Sequence, residues 1–285
     1  MLFNTTAKLI HRNRSALLPP TTDYLKHEIY TRLTDRILDI KKPFSDLLEV
    51  NAGAGLGLSG YEGIKNITLL EESQLLHRDT VRDLPGSTVT RISASETHLT
   101  SLFKPESFDI ITSTSLHFTN PLSSLFSSIF SLLKPDGCFL GSFYTSETLY
   151  ELRTSLHLAE TERLGGFSPH VSPYIRHDSL SSLLSDAGYI VTTIDTDEII
   201  VGYPSMFELM QDLQDMGESS VLSAMRPLRR ETIIAADAIY REVYGDEKGI
   251  PATFQILYFI GWKPGMRQVK PVERGSAQKS LKDVL

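Results

Sequence analysis

The feature that most constrains this chain is a glycine-rich turn set directly behind a short apolar run. Residues 47–50 read Leu-Leu-Glu-Val, and Gly53-Ala54-Gly55-Leu56-Gly57 follow. Glycine lacks a Cβ and accepts positive φ, so such a turn brings backbone close to a ligand. A helix starting behind it would add free N–H groups to that surface. Around the turn the first half of the chain repeats a strand–helix rhythm. Residues 67–70, 88–92, 108–112 and 138–143 read as further strands. Residues 24–40 place Tyr24, Leu25, Ile29, Leu33, Ile37 and Leu38 at helical spacing. Residues 122–133 place Leu122, Leu125, Phe126, Ile129, Phe130 and Leu133 on one stripe. Pro121 suits a first helical position, and Lys134-Pro135-Asp136-Gly137 stops the helix in a turn. Strands alternating with helices at this spacing predict a largely parallel sheet covered on both faces.

The second half changes character. Helices are predicted over residues 147–163, 179–187, 206–216 and 231–244, and a strand over 253–262. Asp178 is the expected N-cap of the second helix and Gly188 its stop, while Ser205 and Glu208 have capping-box spacing for the third. Residues 189–194 and 198–201 fit one broken strand or two. No Pro/Gly-rich linker marks a second domain. The expected organisation is an α/β domain over residues 23–263, a mostly parallel seven-stranded sheet with helical insertions at about 145–187 and 203–245.

Residues 1–22 hold Lys8, Arg12 and Arg14 without any Asp or Glu. This fits a mitochondrial presequence and equally a basic arm of the mature protein. Residues 264–285, with Arg267, Lys270, Arg274, Lys279 and Lys282 against Glu273 and Asp283, read as a flexible basic tail. A net charge of −7 argues against a general nucleic-acid binder, which needs a basic footprint. No apolar run approaches the ~18 residues that span a bilayer. Cys138 is the only cysteine and lies inside an apolar run, so it reads as a buried strand residue. The eight histidines do not gather into a recognisable ligand set, and no metal ligands are assigned.

Two cofactor classes use a glycine turn of this kind. The dinucleotide fingerprint is literally present from Gly55 to Gly60, but its first glycine comes five residues after Val50, too late for the tight turn. The other class, S-adenosylmethionine, carries a sulfonium cation, and its sites begin with an acid at the strand end. That register runs Glu49-Val50-Asn51-Ala52-Gly53-Ala54-Gly55. Asn51 replaces the first glycine, which keeps positive φ accessible while putting a side chain near the pocket. Glu71, after the second strand, is placed to accept from ribose hydroxyls. Ser95 and Glu96 follow the third strand, where an adenine amino group would be read. Ser115 and His117 follow the fourth, on the carboxyl edge where ligands bind in such sheets.

The acid–glycine turn, Glu71 and the Lys134–Gly137 turn together resemble the class I methyltransferase superfamily. Longer stretches sharpen this: YTSETLYELRTSLHLAETERLGGFSPHVSPY from Tyr144, DTDEIIVGYPSMFELMQDLQDMGES from Asp195, YREVY from Tyr240, PATFQILYFIGWK from Pro251 and VERGSA from Val272. These look like the mitochondrial complex I assembly factor 5 family, itself similar to the malonyl-carrier-protein methyltransferases of the biotin pathway. The resemblance runs from about Asp23 to Ala277. It implies a methyltransferase fold that hydroxylates an arginine of a complex I core subunit during early assembly. It also implies S-adenosylmethionine as cofactor, partnership with other assembly factors, and a place on the matrix side of the inner membrane, with peripheral membrane association. A methyltransferase acting on a carboxylate and a non-catalytic assembly chaperone are the competing readings; Asn51 favours the latter.

For an arginine substrate, Glu147, Glu151, Glu160 and Glu162 lie among Tyr144, Tyr150 and Phe167. Carboxylates pair a guanidinium bidentately and aromatic faces stack on it. Glu147 and Glu151 are four residues apart and would share a helix face. His117, Glu147, Tyr150 and Glu151 are therefore the catalytic candidates.

Overall fold

The computed structural model describes residues 2–77 and 84–266. The chain begins with helix α1 (Thr5–Ser15), capped by Asn4, whose side chain accepts from the Ala7 N–H at 3.0 Å. Then come α2 (Tyr24–Leu38), β1 (Asp46–Val50), β2 (Asn66–Glu71), β3 (Thr88–Ser93) and the short α3 (Leu99–Leu102). They are followed by β4 (Phe108–Ser113), α4 (Leu122–Leu132), β5 (Leu133–Tyr144), α5 (Tyr150–Leu164) and α6 (His177–Asp186). The chain closes with β6 (Ile190–Tyr203), α7 (Met206–Asp215), α8 (Arg230–Tyr244) and β7 (Ile250–Trp262).

The seven strands make one sheet in the order β3-β2-β1-β4-β5-β7-β6, parallel from β3 to β5, with β7 antiparallel to both its neighbours. The expected mostly parallel, seven-stranded sheet is therefore present. Strand order reverses between β1 and β4, which opens a crevice at their carboxyl ends. Alternate residues along each strand feed two cores. Leu47 joins Leu33 of α2, Leu156 of α5 and Tyr240 of α8 on one face; Leu48 joins Phe126 of α4 and Leu184 of α6 on the other. Each such side chain is buried, which stabilises the fold by roughly 1.5–3 kcal/mol before entropy is counted.

Several boundaries differ from the sequence reading, each for a local reason. α5 starts at Tyr150, not 147, because Leu149 takes φ 54° and its N–H donates to the Thr253 carbonyl at 2.7 Å. Asp178 is not the N-cap of α6: the helix begins at His177, and Asp178 accepts from the Ser179 N–H within the first turn. Pro121 stands at the N-cap of α4 rather than inside it. Residues 190–194 and 198–201 belong to the single strand β6, which starts one residue after Tyr189 and whose register shifts between Ile190 and Thr193 where Val191 has φ 49°. Ser205 does cap α7, accepting from the Phe207 N–H at 3.2 Å and bonding Glu208. The predicted basic tail beyond Met266 lies outside the described residues.

Candidate functional site

Behind β1 the backbone turns through three left-handed residues: Asn51 (φ 55°), Gly53 (φ 59°) and Gly55 (φ 77°). A Cβ on Gly55 would also stand 3.2 Å from Leu69 and 3.3 Å from Leu58. Asn51 supports the turn instead of blocking it: its side-chain N–H donates to the Ser115 carbonyl at 3.2 Å, tying β1's exit to β4's. The expected helix does not follow. Leu56–Gly60 forms one 3₁₀ turn packed on α2, where a Cβ on Gly60 would overlap Thr34. The literal dinucleotide fingerprint thus serves packing, and no helix end stands there to seat a pyrophosphate.

Three acids line the carboxyl edge at the ends of β1 to β3, and their states differ. Glu49 is fully buried, and neither carboxylate oxygen has a hydrogen-bond partner among the described residues. Burial lifts its pKa to about 7, and the Tyr30 and Tyr61 phenols, which face it without ordinary hydrogen-bond geometry, offset this only in part. Glu71 is equally buried but saturated. Its Oε1 accepts from Arg12 Nε (2.8 Å) and the Ser73 N–H (2.9 Å); its Oε2 accepts from Arg12 Nη2 and the Gly53 N–H (2.9 Å). Burial pushes its pKa up, and the Arg12 charge outweighs that to hold it below the ordinary value. Glu96 accepts from Lys8 Nζ at 2.6 Å and from the Thr119 hydroxyl at 2.9 Å. Burial is again outweighed, by Lys8, and its pKa falls to about 2. Ser95 caps the turn at Glu96–His98.

The two cations come from α1. Lys8 is 4% exposed and the Arg12 side chain 11%, so the segment read as a basic arm or presequence packs into this carboxyl edge of the sheet. Its apolar spacing is weak, and a sequence reading by periodicity passes over it; ion pairs across more than fifty residues of chain hold its inner face, beside core contacts of Ala7 and Ala16.

The catalytic candidates separate. Glu151 is fully buried and bonds the Thr253 hydroxyl and N–H, clamping α5 to β7. Glu147 lies before α5 on a different cleft, beside Arg176 and Gln255. Tyr150 is part-exposed against Tyr244. Glu160 accepts from the Ser168 N–H and meets His170 at 2.8 Å, while Glu162 is exposed. The expected shared face of Glu147 and Glu151 is absent because the helix starts after the first of them.

His117 leads to the acid that the sequence reading missed. Its Nε2 lies 2.8 Å from Oε2 of buried Glu218, and its ring packs beside Tyr144 and Tyr174. Glu218 also pairs with Lys26 at 3.2 Å. Burial raises its pKa, but Lys26 and His117 prevail and keep the carboxylate ionised. Glu218 forms part of the wall of a cavity of about 280 Å³ between α1, α5 and α7, with Leu152, Leu156, Met210, Leu213 and Tyr174. The signal in the sequence was Gly217, a left-handed helix stop (φ 74°) with an acid directly after it.

S-adenosylmethionine can be tested against these residues. The orphaned Glu49 suits a cation, and Glu71 and Glu96 suit hydroxyl and amino donors. Yet both of the latter are already paired, and the space left beneath the turn is about 20 Å³, lined by Arg12, Lys26, Asn51 and Ser115. That is room for about one water. With α1 in place the whole cofactor does not fit.

No family model matches the chain. Human "Arginine-hydroxylase NDUFAF5, mitochondrial" is 42% identical over 98% of this chain and 82% of its own length. The protein of that name from Danio rerio is 45% identical over 92% of this chain and 82% of its own. A malonyl-[acyl-carrier protein] O-methyltransferase from Ilyobacter polytropus is 27% identical over 50% of this chain. Among solved structures, the YcgJ protein of Bacillus subtilis superposes with a TM-score of 0.56 at 13% identity, covering 84% of this chain and all of that one. A Bacillus halodurans protein assigned as a methyltransferase superposes at 0.54, also at 13% identity, covering 81% of this chain and 97% of that one. At that identity the superpositions establish the fold, that of the class I S-adenosylmethionine-dependent methyltransferases.

Proposed function

The chain belongs to the NDUFAF5 arginine-hydroxylase family, and from that premise we propose that it hydroxylates an arginine side chain of a complex I core subunit during early assembly. The observation that carries the reading to this chain is the 280 Å³ cavity walled in part by Glu218. Leu152, Leu156, Met210 and Leu213 suit the methylene arm of an arginine, and Tyr174 is the aromatic residue of the same wall suited to a guanidinium. Glu218 Oε2 bonds His117 Nε2 at 2.8 Å and its Oε1 is ion-paired with Lys26 at 3.2 Å, which leaves acceptor capacity on both oxygens. His117 and Lys26 thereby orient the carboxylate and keep it charged.

Inserting oxygen into a C–H bond consumes dioxygen, two electrons and two protons, and releases water; a two-electron donor must be supplied with the substrate. S-adenosylmethionine is the cofactor the fold supports, and Glu49, Glu71 and Glu96 are the residues that would meet it once the cleft is open. The working location is the matrix side of the mitochondrial inner membrane, reached peripherally, with other assembly factors as partners. No helix among the described residues is long and apolar enough to cross a membrane.

Mass spectrometry of the client subunit tests the reading. An arginine carrying about +16 Da with the wild-type protein, and unmodified when the protein is absent, is the expected result. A shift of about +14 Da would make the protein a methyltransferase, and an unmodified arginine in the wild type would leave it an assembly chaperone.

A further inference from the structure

We infer that α1 is a self-supplied occupant of the cofactor cleft, displaced when the cofactor binds. The inference rests on the cofactor reading above and adds a regulation to that site. Its ground is the state of the three acids. The carboxylate of Glu71 has about four acceptor positions, and Arg12 Nε, Arg12 Nη2, Ser73 N–H and Gly53 N–H fill them. A ribose diol therefore has no acceptor there until the guanidinium leaves. Lys8 likewise holds Glu96 at 2.6 Å, in the place an adenine amino group would take. Glu49, with which no α1 side chain is paired, is the acid left without a hydrogen-bond partner among the described residues. Two cationic side chains thus reproduce the donors of a ligand at two of its three contact points.

The construction of α1 suits an occupant that leaves. Its inner end is the anchor: Asn4 N–H donates to the Val221 carbonyl (2.8 Å), Ser223 N–H to the Leu2 carbonyl (3.0 Å), and Phe3, buried against Phe118, exchanges bonds with Asn120, so the part free to swing out is residues 8–15. Asn13 adds one side-chain bond from the Ser73 hydroxyl at 2.6 Å. Beyond the helix, Leu18-Pro19 leads into α2 through a single 3₁₀ turn. Breaking a buried ion pair outright is costly because it strands a charge in a dry site. Exchange for ligand donors avoids that, since the carboxylates stay paired. The same helix contributes His11 to the wall of the apolar cavity and Arg12 to the cofactor turn. Its departure would open both spaces at once and join cofactor entry to access for the substrate arginine.

The test uses the full chain and S-adenosylmethionine itself. Hydrogen exchange on the wild type should show residues 8–15 losing protection when the cofactor is added. By calorimetry, a Lys8→Gln/Arg12→Gln variant should bind roughly tenfold more tightly or better, because its competent state is no longer a minor one. Should that variant not fold, the wild-type exchange result decides alone. Equal affinity in the two proteins, or added protection of α1 on binding, overturns the occupant and makes α1 a clasp over the bound cofactor, with the cofactor reading intact. Absence of binding to both proteins at millimolar cofactor, with α1 exchange unchanged, removes the cofactor reading and this inference with it.

Discussion

At the scale of single residues, the three strand-end acids sit in one crevice yet obey different balances, and this makes Glu49 measurable. A free glutamate titrates near 4.5 and Glu49 near 7, driven by burial. Between those values the folded protein keeps a proton that the unfolded chain has released, so stability falls as pH rises from 4.5 to 7 and is then level. The fall from this one group is roughly 3 kcal/mol. Urea midpoints of wild type and Glu49→Gln from pH 5 to 8 should diverge accordingly, the variant losing less; parallel curves would show that the carboxyl is solvated. Glu151 tests the opposite assignment. Glu151→Ala strands the buried Thr253 donors and should cost about 1–3 kcal/mol in urea unfolding, without altering cofactor affinity of the folded protein. A loss of client modification at unchanged stability would restore it as a chemical residue. The places of Glu49, Glu71 and Glu96 at the strand ends were legible in sequence because strand ends can be read from apolar runs. Glu218 was not, since a buried acid after an amphipathic helix looks like any solvated one until the fold closes over it.

Elements were legible where their own apolar period decides them, as in α2, α4 and the inner strands. They were misread where long-range contacts decide. α1 owes its place to Glu71 and Glu96, and the start of α5 to a backbone bond from β7. The 3₁₀ turn at Leu56–Gly60 replaced an expected helix because α2 packs against it through Thr34. Packing between elements is equally tight in the sheet. A Cβ on Gly141 of β5 would stand 2.7 Å from both the Phe259 ring and the Ser113 carbonyl oxygen. Gly141→Ala should therefore destabilise by about 1–3 kcal/mol or more, because both neighbours belong to adjacent strands and neither can yield alone. A thermal midpoint equal to the wild type's would mean that the sheet shifts there without cost.

At the scale of the molecule, β7 joins what the sequence divides into two halves. It bonds to β5 and β6, and its alternate side chains enter both cores: Phe254, Ile256 and Tyr258 on one face, Leu257 and Phe259 on the other. The helical insertions should consequently melt with the sheet. Unfolding followed by far-ultraviolet dichroism and by fluorescence of Trp262, the single tryptophan, should give coincident curves. An earlier fluorescence transition would separate the second half as a domain of its own. The lone thiol has a use at this scale. Cys138 is fully buried in the middle of the sheet, and burial raises its pKa far above the range in which thiols react. A cysteine introduced at Ile10, 58% exposed on α1, would then be the only site that a maleimide reaches. One spin label or dye placed there could follow the first helix of the native protein with nothing else in the chain altered.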